Sequence, residues 1–118
     1  MDSPIVIPHA PLDPSDLEQF RGNPFDAMIK FVVDIRQGSL ALGGEMHADA
    51  EASLLQNGSR QENLWGGNLH PWEMPPRIEH TSLINIRPAS GNRSMLVEDA
   101  GVQKEIATIV RRWVPLQW

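Results

Sequence analysis

Two rhythms of apolar residues run along this chain, and each predicts a different element. In AMIKFVVDI, residues 27–35, every second position is large and apolar, so Ile29, Phe31, Val33 and Ile35 share one face of a β-strand that must turn to a core. Met28, Lys30, Val32 and Asp34 take the other face, which is expected to be only partly wet. Near the other end Val102, Ile106, Ile109, Val110 and Trp113 follow the spacing of one helical stripe. Asp99 suits the N-cap of that helix, Arg111 and Arg112 suit the negative end of its dipole, and Pro115 stops it.

The intervening text adds weaker signals. Asp13-Pro14-Ser15-Asp16 starts a short helix over about 14–21, with Leu17 and Phe20 as its buried edge. Arg36-Gln37-Gly38 has the length of a hairpin loop, so SLALGGEMH should return antiparallel, weakened or bent at Gly43-Gly44. EMHADAEAS, residues 45–53, then supports two readings. Its alternation continues the strand into a hairpin closed at Asn57-Gly58, which is the preferred reading; its alanines fit a helix capped by Asp49. PWEMPP is a surface loop, IEHTSLINIRP over 78–88 reads as a strand, and SGNRS over 90–94 as a loop rich in donors.

These elements sum to an α+β class: a mainly antiparallel sheet of hairpins packed against a C-terminal amphipathic helix, with a short N-terminal helix. A chain of 118 residues fits one domain, placed at 14–114, with an extended proline-rich arm at 1–13 and a tail at 115–118. Trp118 on that tail is awkward in water, so PLQW should dock on its own domain or on a second copy, making a homo-oligomer one expectation.

Charge and composition remove several functions. A net charge of -5 lacks the basic excess of a nucleic-acid binder, and the absence of cysteine removes disulfides and thiolate metal sites. No apolar run approaches a membrane span or a signal peptide, which makes a cytoplasmic location the default expectation.

GGEMHADAE, GSRQENLWGGN, SLINIRP and GNRS, in this order and spacing, resemble a small family of bacterial and cyanobacterial proteins known only as a domain of unknown function. The likeness runs from about Met28 to Val114 and leaves the proline-rich start outside it. His47, Asp49, Gln61, Glu62, Asn68, Asn85, Arg87, Asn92, Arg93 and Ser94 match its recurring letters; the resemblance implies no activity and gives none of them a role.

Two constellations carry candidate chemistry. Glu45, His47 and Asp49, two apart on one strand face, could converge on a divalent metal ion, although such alternation also describes a solvated sheet face. Asn85 and Arg87 on one pleat, followed by Asn92, Arg93 and Ser94 in a glycine-containing turn, could cradle a small anionic ligand. The competing reading is structural, with Arg87 paired to Glu62 or Glu98 and Asn92 serving a tight turn. Ser59 or Ser94 with His47, His70 or His80 gives a nucleophile and base without a joining motif. The resulting expectation is a polar pocket between the 45–49 segment and the 85–94 loop, metal-assisted if hydrolytic; the alternative is a non-enzymatic interaction module.

Overall fold

The computed structural model describes residues 3–118. Met1 and Asp2, where the proline-rich arm begins, lie outside the described residues. Five strands form one antiparallel sheet: β1 (Ile5–Val6), β2 (Ile29–Asp34), β3 (Ser39–Gly43), β4 (Leu64–His70) and β5 (Arg77–Glu79), in the order β1-β3-β2-β4-β5. A helix covers each face: α1 (His47–Gln56) on one, α2 (Ala100–Trp113) on the other.

The larger core lies under α2. Ile29, Phe31 and Val33 of β2 meet Leu40 and Leu42 of β3 and Trp65 and Leu69 of β4, and the stripe Ile106, Ile109 and Val110 closes over them. Asp99 caps α2 as expected, its Oδ1 accepting the N–H groups of Gly101 and Val102 at 2.7 and 3.1 Å. Pro14–Phe20 forms a 3₁₀ helix, whose three-residue turn stacks Leu17 directly above Phe20 against this core. The tail docks on its own domain: Trp118 packs on the core and its Nε1–H donates to the Val114 carbonyl at 3.1 Å.

The second face of β2 is where the expectation of partial wetness fails. Val32 and Asp34 are both fully buried, because α1 lies across β2 and β3 and packs Ala50 and Leu54 onto Val32, Ala41 and Leu64. The preferred hairpin reading of 45–53 is therefore corrected to helix. Ala50 and Leu54, four apart, are its buried pair, and the small side chains of Ala41 and Ala50 let the helix sit close to the sheet. Gly43 and Gly44, at φ of 107° and 93°, turn the chain out of β3 before the helix starts. Asp34 stabilises the β2–β3 turn from beneath: its Oδ1 accepts from the N–H groups of Arg36 and Gln37, and its Oδ2 from the Ser59 hydroxyl at 2.6 Å.

The predicted strand over 78–88 is also shortened. Only Arg77–Glu79 pair with β4; Ser82 then caps a 3₁₀ turn over Leu83–Asn85 by accepting from the Ile84 N–H at 3.3 Å. Beyond that point side chains replace backbone. The Asn85 amide lies against Gly66, accepting from its N–H and donating to its carbonyl, both at 2.9 Å, as a neighbouring peptide would. Arg87 donates to the Leu64 carbonyl, and to that of Glu62 at 3.3 Å. Residues 64, 66, 68 and 70 point their backbone groups to the same edge of β4, and the two-residue spacing of Asn85 and Arg87 matches the first two of them.

Candidate ligand-binding cleft

Residues 80–97 run from the α1 face, where Ile84 packs on the smaller core, to the core under α2, where Val97 is buried, and hydrogen bonds within the segment hold its shape. Asn92 donates to the carbonyls of Asn85, Ser94 and Leu96 at 2.8, 3.0 and 3.0 Å, and its Oδ1 accepts from the Glu98 N–H at 2.9 Å. The Arg93 and Ser94 N–H groups both donate to the Glu98 carboxylate. Arg87 lies 4.6 Å above the Trp65 ring and donates to Ile84 as well as to the 62–64 segment. Burial lowers its pKa from the ordinary value, while the nearby Glu51 charge opposes that shift. Apart from the exposed Arg93 guanidinium, the donors of Asn85, Arg87, Asn92 and Ser94 are thus engaged with backbone and with Glu98. They build a wall.

Apart from these side chains lies a cleft of about 300 Å³ between the start of α1 and residues 81–84 and 95. Met46, Leu83, Ile84 and Met95 supply its apolar side; Lys30, Glu45, His47 and Asn68 supply polar groups. Lys30 projects from the α1 face of β2, has no carboxylate at ion-pair distance among the described residues, and lies 5.2 Å from the Phe25 ring. Asn68 is 91% buried on β4. Its Nδ2 donates to Glu79 Oε1 at 2.9 Å, and since a carboxylate only accepts, the orientation of the amide is settled; Oδ1 is left buried with no partner. That hydrogen bond, followed by one from His70, holds the Glu79 pKa below the ordinary carboxylate value.

His47, the first residue of α1, reaches back to the sheet. Its Nε2 lies 2.7 Å from the Gly67 carbonyl, which can only accept, so Nε2 carries the proton and Nδ1 keeps a lone pair. Burial, together with the Lys30 charge, lowers its pKa and keeps the ring neutral, against the pull of that same carbonyl and of the neighbouring Asn68 side chain. Asp49 points away from the cleft and accepts from the Met46 N–H at 3.3 Å. The N–H groups of His47 and Ala48 find no acceptor among the described residues, which leaves the positive end of α1 facing the recess.

The two sequence-predicted constellations are placed apart. Glu45 and His47 line this cleft, Arg87 lines a separate recess with Glu51 and Glu62, and Asn92 a third beside Trp65. Because α1 begins at His47, the strand face that would have aligned Glu45, His47 and Asp49 does not exist. Among the described residues no three His, Asp or Glu side chains gather as a metal site. Ser59 is held by Asp34 and Ser94 by Leu96, neither beside a histidine hydrogen bond. Lys30 and Thr81 were not singled out from sequence; a lone lysine between Ile29 and Phe31 on a strand with two buried faces was the available signal. A wider recess under α2, about 630 Å³, is lined by Arg36, Lys104 and Arg112, but all three are exposed and no buried polar atom faces it.

Fold and cleft define a small α+β domain, one sheet between two helices, with a ligand-sized recess on the α1 face. A family model, DUF5674, described as a protein of unknown function, matches residues 6–113, and the chain belongs to that family. The match begins at Val6, inside the proline-rich arm that was expected to fall outside the family pattern, so the Pro14–Phe20 helix and the second residue of β1 belong to the family domain. No curated protein and no solved structure matches the chain. Among the described residues no helix is long and apolar enough to cross a membrane.

Proposed function

We propose that the chain is a binding domain for a small organic anion with an apolar body, seated in the cleft at the start of α1. One observation carries this reading: Lys30, without an anionic partner, shares the cleft with the unbonded amides of His47 and Ala48. A cation and a helix N-terminus together favour a carboxylate or phosphate, and the methionine and leucine side chains opposite favour an alkyl portion. The volume lies at the low end of ligand sites, which suits a molecule of amino-acid size rather than a nucleotide. The setting is the bacterial cytoplasm, supported by the resemblance of the motifs to bacterial proteins.

The probe is 4-methylpentanoate, followed by amide chemical shifts. Shift changes confined to residues 45–48, 68, 81–84 and 95, and abolished by Lys30→Met, are the expected result. Shifts elsewhere, or none at millimolar probe, overturn the reading.

A second reading rests on a different observation. Met46, Leu83, Ile86, Met95 and Leu96 are large apolar residues between 42% and 69% exposed, all on or beside this wall. Such a patch suits self-association. Light scattering that gives a dimer mass for the native chain and a monomer mass for Leu83→Lys would favour it.

A further inference from the structure

The cleft holds more than an anion needs. Beside the Lys30 ammonium and the free amides of α1 the same cleft holds three acceptors, which a simple carboxylate would leave unused: the Glu45 carboxylate, the Oδ1 of Asn68, the cross-strand neighbour of Lys30, and the His47 Nδ1. Two of them have fixed directions. Asn68 is oriented by Glu79, and the His47 tautomer by the Gly67 carbonyl, so neither can turn into a donor without breaking an existing hydrogen bond. A buried carbonyl oxygen without a partner is costly, and a ligand N–H is the group that relieves it.

From this we infer that the ligand of the cleft is a zwitterion, a free α-amino acid with an apolar side chain. The inference rests on the anion-binding reading and narrows it. The carboxylate is met by Lys30 and the α1 amides; the ammonium donates to Glu45 and Asn68 Oδ1, with His47 Nδ1 as a third acceptor; the side chain lies on Met46, Leu83 and Met95. An ammonium has three protons to donate, and the cleft offers three acceptors. The flexible thioethers fit several side-chain shapes, so leucine, methionine and phenylalanine are all admitted, whereas aspartate and lysine are not.

Three isosteric probes separate the possibilities: leucine, 4-methylpentanoate, which lacks the amino group, and isoamylamine, which lacks the carboxylate. Affinities are read by calorimetry and by amide shifts on the full chain. Leucine should bind at least about tenfold more tightly than either truncated analogue. Glu45→Gln should reduce leucine affinity by a similar factor without weakening 4-methylpentanoate, whose carboxylate loses a repelling neighbour. Glu45 is exposed and this substitution is isosteric, so the fold should be intact, as the unchanged spectrum away from the cleft would verify. Equal affinities for leucine and 4-methylpentanoate, or no effect of Glu45→Gln on leucine, overturn the zwitterion while the anion-binding reading stands. Failure of all three probes overturns both.

Discussion

Removing the side-chain amide of Asn85 should be among the most damaging single changes to this domain that leave its backbone sterics untouched. The residue is fully buried, and its amide makes three hydrogen bonds: from the Gly66 N–H, to the Gly66 carbonyl, and to the Met95 carbonyl at 3.0 Å. Asn85→Ala deletes all three and strands three backbone groups in the interior. Each stranded group costs about 1–3 kcal/mol, and water entering the vacated volume recovers part of that, so the expected loss is about 3–5 kcal/mol. Against the ~5–15 kcal/mol of a typical domain this is a large share. Urea unfolding followed by tryptophan fluorescence measures it. Hydrogen exchange adds a local reading, because the Gly66 amide should lose protection ahead of β2. A loss below about 1 kcal/mol with an unchanged denaturant slope would refute the claim that this side chain substitutes for a strand.

Two further outcomes follow from the same geometry. Gly67→Ala should destabilise the chain by about 2–4 kcal/mol in thermal melts, because a Cβ there would lie 2.5 Å from the Glu79 carbonyl oxygen and 2.9 Å from Phe31 Cε2, and the backbone atom cannot give way; an unchanged melt would show that β4 and β5 separate more easily than their register implies. His47 and His80 both have pKa values lowered by burial from the ordinary 6.5, so protonation favours the unfolded chain. Their contribution is complete above about pH 6.5 and is lost as pH falls towards the folded values, so urea midpoints should decline from pH 7.5 to 5.5, and a His47→Gln/His80→Gln double variant should flatten that slope; a profile identical in both proteins would place the titration elsewhere.

Much of the architecture could be read from local signals. The inward face of β2, the β2–β3 hairpin, and the cap and stripe of α2 are all specified within a few residues of themselves and all formed, although the turn takes in Ile35 as a fourth residue and the outward face of β2 is buried too. The misreadings share a physical cause. In EMHADAEAS the polar alternation is compatible with a strand, but burying Val32 and Ala41 requires a cover that only a helix at this point supplies, and that demand comes from distant residues. The strand expected to run through SLINIRP ends at Glu79, and the two-residue spacing of Asn85 and Arg87 matches the spacing of backbone groups on β4 rather than a ligand. Such pairing across some twenty residues leaves no local signature. The cleft was half visible, since Glu45 and His47 were on the candidate face, while Lys30 and Asn68 join them only once β2 and β4 are side by side.

The outer edge of β4 has one more consequence. β5 spans only three residues, and above it the edge is occupied by the Asn85 amide and the Arg87 guanidinium; on the opposite flank β1 has just two residues. Among the described residues neither side of the sheet offers a run of open peptide groups long enough to template an incoming strand from another molecule. Asn85 and Arg87 of SLINIRP therefore leave little open edge on which fibril-like growth could start, a consequence independent of whatever the cleft holds.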